Sequence, residues 1–337
     1  MGRAKAYGNR EEYLTLCIKN FVKVVFHIEN FSNFVHSNHE NLVMSRMLIS
    51  KDSMKKLLLT VMSLMVVFGM QAQQIFVGSY NIRYNNPDDV AEANGWKQRC
   101  PNICDQINFE QPLIFGAQEV LHDQLVDLLA GIPQYRYLGV GREDGKEKGE
   151  YAAIFYRSDR LEVLKNGCFW LSQTPRVPSK GWDAACERIC TWGLFKDKET
   201  KLKFFFFNCH MDHIGVVARR ESARMIIDSI KAIGKDMPVI LTGDFNVDQH
   251  DEIYKIFSES GILKDTYANA QQRMAPCGTF NGFMQDRRDN DRIDHVFVSP
   301  HFTVEHYGIL TNSYWLGNTR RNLSDHYPVF VKLNWKK

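Results

Sequence analysis

The chain has 337 residues, of which 44% are hydrophobic and 24% are charged, and its formal net charge at pH 7 is +3. These proportions are ordinary for a soluble globular protein, and the length allows one large domain or two smaller ones. A protein that relies on non-specific contacts to duplex DNA usually carries a strongly basic surface, and the small net charge gives no support to such a partner.

Residues 54–72 show the order of features of a secretory signal peptide. Met54 is followed by two lysines and by an apolar run from Leu57 to Met70, and the small residue Ala72 provides a cleavage site. The apolar run is short for a membrane span. We therefore predict a secreted or periplasmic protein that is cleaved near Ala72 and has no stable membrane anchor.

The segment upstream of this signal needs a separate explanation, because a signal peptide acts at the N-terminus. Residues 1–53 are interpreted as a mis-assigned upstream start or a disordered extension. The alternative is a genuine short N-terminal region followed by an apolar anchoring helix. The mature domain then spans residues 73–337, which hold 33 Lys/Arg and 34 Asp/Glu, a formal balance of −1. A basic patch would have to be local, for instance at Arg287, Arg288 and Arg292.

Strand-like and helix-like patterns alternate from Gln74 onwards without an obvious linker. Residues 218–230 have apolar side chains at helical spacing, and residues 197–200 are predicted to form a hairpin turn. The predicted strands are residues 75–84, 112–120, 151–157, 161–171, 189–195, 201–211, 237–246, 292–299, 302–310 and 327–335. This mixture of hairpins and crossovers predicts one α/β domain of packed layers.

Seven cysteines follow the predicted signal, so at least one thiol stays unpaired within the chain. Export would permit disulfides. Cys186 and Cys190 would lie about 13 Å apart in an extended segment, at about 3.3 Å per residue, which is too far to bridge. Cys100 and Cys104 could approach bonding distance within a helix. No cysteine spacing resembles a zinc site.

Many of the predicted strands end in polar residues that can carry chemistry. A single acid after an apolar run is usually a helix cap or a turn residue. Six such clusters are harder to explain in that way, since strand ends along one sheet edge converge and can line one cleft. The clusters are Asn81, Glu119, His210 with Asp212, Asp244 with Asn246, Asp294 with His295, and Asp325 with His326.

The residue types in these clusters fit a metal-dependent hydrolase of phosphate esters. Glu119 and Asn81 supply hard oxygen atoms of the kind that Mg²⁺ or Mn²⁺ binds together with several waters. No serine or cysteine nucleophile stands among the clusters, so the set suits direct attack of water on phosphorus, assisted by the metal. An aspartate that is hydrogen-bonded to a histidine fixes the ring tautomer and favours the protonated form.

The order of the motifs along the chain carries a family resemblance. The motifs that follow one another across residues 75–334 are "SYNIR", "QEV", "GEYAAIFYR", "NCHMDH", "GDFN", "DRIDHVFVS" and "SDHYPV". In this order they resemble the endonuclease/exonuclease/phosphatase superfamily of DNase I-like metal-dependent hydrolases, in particular its secreted bacterial members. The resemblance implies that residues 73–337 form the catalytic domain, a four-layer α/β sandwich of two mixed β-sheets flanked by helices.

The resemblance also implies which residues hold the metal and the attacking water. Glu119 matches the main metal ligand, Asn81 lies close to it, and Asp325 faces the metal. Asp244 and Asn246 match the pair that orients the attacking water and the phosphate. The cofactor implied is Mg²⁺ or Mn²⁺.

Two histidines receive catalytic roles from the same resemblance. His326 matches the catalytic histidine, and its implied partner is Asp294 rather than its own neighbour in the sequence. His210 matches a second histidine that stabilises the phosphoryl oxygens. Glu150 stands seven residues before Arg157, where DNase I-like sequences place the glutamate that partners this second histidine. The alternative for Glu150 is a solvated surface residue.

Two arginines are assigned to substrate binding. Arg188 is similar to the family arginine that contacts phosphate, and its alternative is an exposed arginine at a strand end. Arg83 stands where apurinic endonucleases carry an aspartate that helps to hold metal, which argues against a strongly held second cation. Asp212 and His213 are expected to support His210.

Four further features are given structural roles or left open. Trp96 and Arg99 are expected to anchor a helix rather than cap the cleft. Asn322 begins a glycosylation sequon, but a sugar there would block the site. The aromatic loops at residues 278–286 and 313–318 could stack a base or a sugar ring, seat a lipid headgroup, or only pack against their surroundings.

These inferences together predict a secreted, metal-dependent phosphoesterase whose substrate is a phosphodiester, either nucleic acid or a small molecule. One alternative is a phosphomonoesterase of inositol-phosphate or sugar-phosphate type, and another is a non-catalytic binding module on the same fold. A degenerate module should lack one of the key residues, and none is missing. We expect a monomer, with nucleic acid as a partner that the overall charge does not favour.

Overall fold

The computed structural model describes residues 73–287 and 289–336. The predicted signal peptide (54–72), the segment upstream of it (1–53) and Arg288 lie outside the described residues. The helices are α1 (Asp88–Ala91), α2 (Trp96–Glu110), α3 (His122–Gly131), α4 (Val216–Gly234), α5 (Glu252–Ser258) and α6 (Thr266–Asn269). The strands are β1 (Gln73–Asn81), β2 (Ile114–Val120), β3 (Tyr135–Leu138), β4 (Tyr151–Arg157), β5 (Leu161–Trp170), β6 (Ile189–Asp197), β7 (Lys203–His210), β8 (Val239–Asp244), β9 (Lys264–Asp265), β10 (Ala270–Met274), β11 (Asp294–Val298), β12 (Phe302–Ile309), β13 (Ser313–Leu316), β14 (Thr319–Asn322) and β15 (Val329–Trp335).

The first sheet has seven strands in the order β10-β12-β15-β1-β2-β4-β3. Its central strand β1 pairs antiparallel with β15 and parallel with β2, so the sheet is mixed. Helix α2 forms the crossover that the parallel β1–β2 pair requires. In this register Asn81 at the end of β1 lies opposite Gln118, one residue before Glu119.

The second sheet has six strands in the order β5-β6-β7-β8-β11-β9 and is also mixed. Strands β7 and β8 run parallel, with α4 as their crossover, whereas β11 runs antiparallel to β8. The register places His210 opposite Asp244, and Asp244 opposite Asp294. Three of the predicted polar clusters therefore reach the same edge of this sheet.

The alternation of residues along β7 shows how the two sheets share one core. Phe204 and Phe206 belong to the buried cluster that contains Val77 of the first sheet, so they fill the space between the sheets. Phe205 and Phe207 belong to a separate buried cluster on the opposite face. Successive side chains of a strand point to opposite faces of the sheet, so these consecutive buried phenylalanines show that β7 is covered on both faces. Each fully buried side chain of this kind contributes about 1.5–3 kcal/mol.

Helices cover the outer faces of both sheets. Ile226 and Ile230 of α4, four residues apart on one helix face, pack with Phe207 on the second sheet. Ile107 of α2 and Leu125 of α3 pack with residues of the first sheet in a third buried cluster. Two mixed sheets between two helical layers confirm the four-layer sandwich that the sequence predicted.

A polar layer joins the sheets two residues behind the strand ends. Gln118 donates Nε2–H to Asn208 Oδ1 (2.6 Å), and Thr242 donates its hydroxyl to the same oxygen (3.1 Å). Asn208 in turn donates to two backbone carbonyls of the first sheet. A Cβ at Gly116 would lie 2.3 Å from the side-chain oxygens of Asn208 and Thr242, so this glycine permits the close approach of the sheets.

Several local expectations differ from the structure. Residues 313–318, expected to be a loop, belong to the β13–β14 hairpin, whose strand pairing the sequence pattern did not indicate. The short elements β3 and α5 and the amphipathic helix α3 were not predicted. Asn322 is buried and donates to Asn281 Oδ1 (2.9 Å), which leaves no room for a glycan in this fold.

The seven cysteines of the described residues are free thiols in this structure. Cys100 and Cys104 do lie on one helix, as expected, with their Sγ atoms 4.0 Å apart. None of the helices in the described part of the chain is long and apolar enough to span a membrane.

Candidate active site

His326 and Asp294 form the central pair of the site. His326 Nδ1 lies 2.8 Å from Asp294 Oδ2, and both side chains are buried. The Thr279 hydroxyl accepts the backbone N–H of Asp294, which holds the start of β11 in place. Phe280 packs edge-on against the imidazole with ring centroids 5.0 Å apart. Burial disfavours the charged ring, but Asp294 and Asp244 outweigh it and hold the pKa of His326 well above its usual range.

The backbone around Asp325 is pinned to the neighbouring loop. Its carbonyl accepts N–H groups of Asn281 and Gly282, so the 278–286 segment does flank the site. The Asp325 carboxylate faces Arg83, with Oδ2 3.6 Å from Nη1. Burial, together with the nearby Glu119, raises the pKa of Asp325 to about 6. Asp325 is therefore an acidic neighbour of Glu119 and not the partner of His326.

Glu119 reaches the site through an irregularity in β2. Regular alternation would place it on the helix-covered face with Ala117, but its φ of +62° and a register shift against β4 redirect the chain. Its Oε1 accepts from Asn81 Nδ2 (3.0 Å), and its Oε2 accepts the backbone N–H of Tyr84 (3.1 Å). A left-handed conformation outside glycine costs about 1–3 kcal/mol and is characteristic of functional sites.

Asn81 bridges two acids in place of presenting an oxygen to the cleft. Its Nδ2 donates to both Glu119 and Asp244 Oδ2 (2.9 Å), while its Oδ1 accepts the backbone N–H of Arg83 (3.0 Å). The sequence assigned Asn81 to the metal ligands. In this arrangement it orients the two carboxylates that flank it, and its own oxygen is used by the backbone.

Asp244 and Asn246 lie together at the end of β8. Asp244 Oδ1 accepts the backbone N–H of Asn246 (3.0 Å), and Asn246 Nδ2 donates to the Met211 carbonyl (3.0 Å). Asn246 also has a positive φ of +50°. Burial, reinforced by the repulsion from Asp294, raises the pKa of Asp244 to about 7. This carboxyl can therefore gain or lose a proton near neutral pH.

The predicted pairing of Glu150 with His210 is present only as a long contact. His210 Nδ1 lies 3.8 Å from Glu150 Oε2, and His210 Nε2 lies 3.6 Å from Asp244 Oδ2. The short bonds of Glu150 go to Arg142, which donates from Nη1 (2.8 Å) and Nη2 (2.7 Å). Burial and the positive charges of Arg188 and Arg142 hold the pKa of His210 well below its usual range, so its ring is neutral.

Arg142 is a charged residue of the cleft that sequence reasoning missed. It stands in "GREDGKEKGE", residues 141–150, which reads as a solvated charged loop. The signal that could have found it is the pair of glycines, Gly141 and Gly149, that frames a short charged loop leading directly into Glu150. Its backbone carbonyl accepts from Trp170 Nε1 (2.7 Å), so the loop is tied to β5.

Arg188 is buried against Asp212 and His213, which corrects their predicted role as supports of His210. Arg188 Nε donates to Asp212 Oδ2 (3.3 Å), and Nη2 lies 2.9 Å from His213 Nδ1. Burial opposes ionisation of Asp212, but N–H donors, with that of Gly215 the strongest, hold its pKa at about 2. The remaining nitrogen, Nη1, is buried without a hydrogen-bond partner. An unsatisfied buried donor costs about 1–3 kcal/mol.

Arg83, the second predicted substrate residue, is largely committed to other acids. Nε and Nη2 donate to the two carboxylate oxygens of Asp89 (3.0 and 3.1 Å), and Nη1 faces Asp325.

The two residues expected to anchor a helix, Trp96 and Arg99, both hold α2 against its surroundings through hydrogen bonds. Arg99 is fully buried and donates to four backbone carbonyls, and Trp96 Nε1 donates to Asp127 Oδ2 (2.8 Å).

A cleft of ≈ 430 Å³ is lined by several of these groups, namely Arg83, Glu119, Arg142, Glu150, Arg188, His210, His213, Asp244, Asn246, Asp325 and His326. On its acidic side, Glu119, Asp244 and His326 each offer a ligand atom, and these atoms lie within 4.8 Å of one another. The two carboxylates suit a hard divalent cation. Burial, with the added repulsion from Asp294, raises the pKa of Asp244, and a bound cation would stabilise its charged form. His326 is held protonated, so its ring has no free lone pair for a metal ion, and it fits better beside the cation than as one of its ligands.

A second group of suitable residue types does not fit a metal. Cys186, Asp212 and His213 also lie within the same distance of one another. Both oxygens of Asp212 already accept N–H groups. Oδ1 accepts the backbone N–H groups of Ile214 and Gly215, and Oδ2 accepts the backbone N–H of Ala185 and the Nε–H of Arg188. The positive guanidinium in contact with Asp212 would repel a cation.

Comparison with known proteins supports the reading of the motifs. Residues 78–326 match the model of the endonuclease/exonuclease/phosphatase family. A solved structure of a family protein from Bacteroides thetaiotaomicron is 48% identical, with a TM-score of 0.78, covering 79% of this chain and 100% of that one. A mannosyl-6-phosphatase from the same organism is 49% identical, with a TM-score of 0.76, covering 77% and 100%.

A viral relative shows the same likeness over most of its length. The uncharacterized protein L388 of Acanthamoeba polyphaga mimivirus is 32% identical over 264 residues, which is 70% of this chain and 91% of that protein. The family model covers the cleft from the middle of β1 to His326, and so spans the candidate site residues. The chain belongs to the endonuclease/exonuclease/phosphatase family.

Proposed function

We propose that the protein is a divalent-metal-dependent phosphomonoesterase that acts on a phosphorylated sugar. The observation that carries this proposal is the cleft of ≈ 430 Å³, which four carboxylates line together with three arginines and three histidines. Such a space suits one small substrate with a doubly charged phosphate. The sequence alone favoured a phosphodiester, with a sugar phosphate as an alternative. The 49% identity to a mannosyl-6-phosphatase favours that alternative.

The acidic side of the cleft fits Mg²⁺ or Mn²⁺ held by Glu119 with Asp244 nearby. When bound, the cation would polarise the phosphoryl oxygens and offset the negative charge that develops on them. Asn81 keeps the two carboxylates in position by donating to both. Asp325 adds a further negative charge beside Glu119 and supports the same preference for a cation.

Asp244 is the residue best placed to accept a proton from the attacking water. Burial raises the pKa of Asp244, and a carboxylate with a raised pKa is a stronger base than an ordinary aspartate. Its Oδ1 is fixed by the Asn246 backbone, while Oδ2 faces the cleft beside both histidines. Asn246 is held by the Met211 carbonyl, so its position beside Asp244 does not depend on substrate.

The two histidines have different protonation states, and this separates their roles. His326 is charged through its contact with Asp294, and its Nε2–H can donate to a phosphoryl oxygen or to the leaving group. His210 is neutral, so it can donate one N–H to a phosphoryl oxygen without adding a charge. Opposite pKa shifts of two neighbouring groups are a common sign of divided acid–base roles.

The proposal is tested by measuring phosphate release from a panel of substrates with residues 73–337. The panel contains mannose 6-phosphate, other hexose phosphates, inositol phosphates, sphingomyelin, a generic phosphodiester, RNA, and single- and double-stranded DNA, each with Mg²⁺, Mn²⁺ or EDTA. We expect EDTA-sensitive hydrolysis with the highest kcat/KM on a hexose phosphate. A preference for any diester, or hydrolysis that EDTA does not affect, would contradict the proposal.

A variant pair separates the site from the rest of the surface. His326→Ala should remove hydrolysis, whereas His306→Ala, at a partly exposed histidine of β12, should leave it unchanged. Equal turnover by the His326→Ala variant and the wild type would refute the mechanism. Export after cleavage near Ala72 and a monomeric state remain part of the proposal, supported by the signal-like sequence and by the completeness of the site within one chain.

A further inference from the structure

Two arginine side chains lie near each other in the cleft, beside Glu150 and His210. Arg142 and Arg188 both line the main cleft, and both also line a cavity of ≈ 10 Å³ beside Glu150 and His210. This cavity is no larger than one water molecule. The two arginines are therefore close neighbours, and the space in which they could meet a larger ligand is the cleft itself.

Counting donors shows that most of their N–H groups have no acceptor in the protein. An arginine has five N–H donors. Glu150 accepts two from Arg142, one from each Nη, so each Nη keeps a second N–H for a ligand, whereas Nε is buried without a partner and is not open to the cleft. Asp212 and His213 occupy two of those on Arg188, and Nη1 is left without a partner. Glu150 and Asp212 balance the charges but do not use the remaining donors.

Arg142 is held in this position by its loop. Its backbone N–H donates to the Glu150 carbonyl (3.1 Å), and its own carbonyl accepts from Trp170 (2.7 Å). A Cβ at Gly141 would lie 2.3 Å from the Lys148 carbonyl, so the loop closes tightly on itself. The Arg142 side chain is 13% exposed and faces the cleft. A preorganised donor of this kind is suited to a fixed ligand oxygen.

We propose that Arg142 adds a second guanidinium beside Arg188, so that the two form a clamp for the third non-bridging oxygen of a phosphomonoester, and that the addition of Arg142 is what selects monoesters against diesters. The inference rests on the proposed function. A monoester phosphate presents three terminal oxygens and up to two negative charges, whereas a diester presents two oxygens and one charge. The metal side and the histidines can take two oxygens. A diester would place carbon against the arginine donors and leave them unpaired, and sites built to hydrogen-bond a group reject analogues that lack it.

The experiment compares wild type, Arg142→Gln and Arg142→Lys on two substrates, p-nitrophenyl phosphate and bis-p-nitrophenyl phosphate. Arg142→Gln should lower kcat/KM on the monoester about 100-fold and on the diester less than about 3-fold, the scale of one lost charge-assisted hydrogen bond. Arg142→Lys keeps a positive charge beside Glu150 but loses the bidentate geometry of the guanidinium group. Its kcat/KM on the monoester should therefore lie between those of the wild type and Arg142→Gln. An equal loss on both substrates would overturn the clamp.

A matched control and a binding measurement complete the test. Arg157→Gln breaks another bidentate arginine–carboxylate pair, the one with Asp159 on the surface outside the cleft. This variant should leave kcat/KM unchanged on both substrates. Calorimetric titration of inorganic phosphate into the Mg²⁺-loaded protein should show Kd raised at least about 10-fold in Arg142→Gln and unchanged in Arg157→Gln. An unchanged phosphate Kd in Arg142→Gln would refute the clamp. A wild type that hydrolyses only the diester would refute the proposed function, and the phosphate Kd would still decide whether the clamp exists.

Discussion

Replacing Asp294 with asparagine removes one negative charge from the central pair and changes little else. Asp294 Oδ2 contacts His326 Nδ1 at 2.8 Å, whereas Oδ1 is buried without a partner. The amide NH₂ of the asparagine can take the place of Oδ1, so its oxygen still accepts from the ring. The variant therefore keeps the ring orientation and loses the ionic part of the contact.

The size of the effect follows from that contact. A hydrogen bond to a charged group contributes about 1.5–3 kcal/mol. Each 1.4 kcal/mol of lost transition-state stabilisation is about tenfold in rate, so kcat should fall about 10- to 150-fold if the charged ring acts in the reaction. Because the carboxylate charge of Asp294 is a main reason for the raised pKa of His326, that pKa should fall in the variant.

The assay combines steady-state kinetics with NMR titration of the His326 ring. Asp265→Asn provides the matched control, because Asp265 is a buried carboxylate paired with Arg292 (3.3 Å) outside the cleft. It should lower the melting temperature and leave kcat unchanged. Wild-type kcat in Asp294→Asn, or an unchanged His326 pKa, would show that the pair is only structural.

Three other perturbations test the fold and the metal site. Gly116→Ala should lower the free energy of unfolding by about 1–3 kcal/mol, because its Cβ would lie 2.3 Å from two buried oxygens. Gly308→Ala, whose Cβ would have no neighbour nearer than 3.5 Å, should lower it less. Equal melting temperatures of the two variants would contradict this prediction. Glu119→Gln should weaken Mg²⁺ binding by at least about tenfold by calorimetry, and unchanged affinity would remove Glu119 from the site. Burial raises the pKa of Asp244 to about 7 and of Asp325 to about 6, so Mg²⁺ affinity should be greatest above pH 7 and fall as these carboxyls take up protons between about pH 7 and 5. Mg²⁺ affinity that does not change with pH would exclude both groups from the metal's surroundings.

The sheets could be predicted because their signal is local. The alternating phenylalanines of β7 and the polar residues that end β7 and β8 and begin β11 are visible in the sequence. One edge of the sheet gathers these polar residues because β7 and β8 are parallel and β11 runs antiparallel to β8. The sequence analysis expected these strand ends to converge at one sheet edge; the register that brings His210, Asp244 and Asp294 together is visible only in the structure.

The orientation of individual side chains could not be predicted in the same way. Glu119 points into the cleft only because of a positive φ and a register shift, which no residue pattern indicates. Asp212 follows His210 by two residues, and this proximity suggested mutual support, but the turn directs it to Arg188. Arg142 lies in a charged loop of a kind that is usually solvated, and only the tertiary contacts of that loop with Glu150 and Trp170 reveal it.

The central claim is that water is added directly to the phosphorus of a monoester at this site. Hydrolysis of mannose 6-phosphate by residues 73–337 with Mg²⁺ in H₂¹⁸O, followed by mass spectrometry of both products, tests it most directly. We predict that each phosphate released carries one ¹⁸O atom, that the sugar carries none, and that EDTA or Asp244→Asn suppresses the labelling. Label in the sugar, or labelled phosphate formed equally well by Asp244→Asn, would contradict the account.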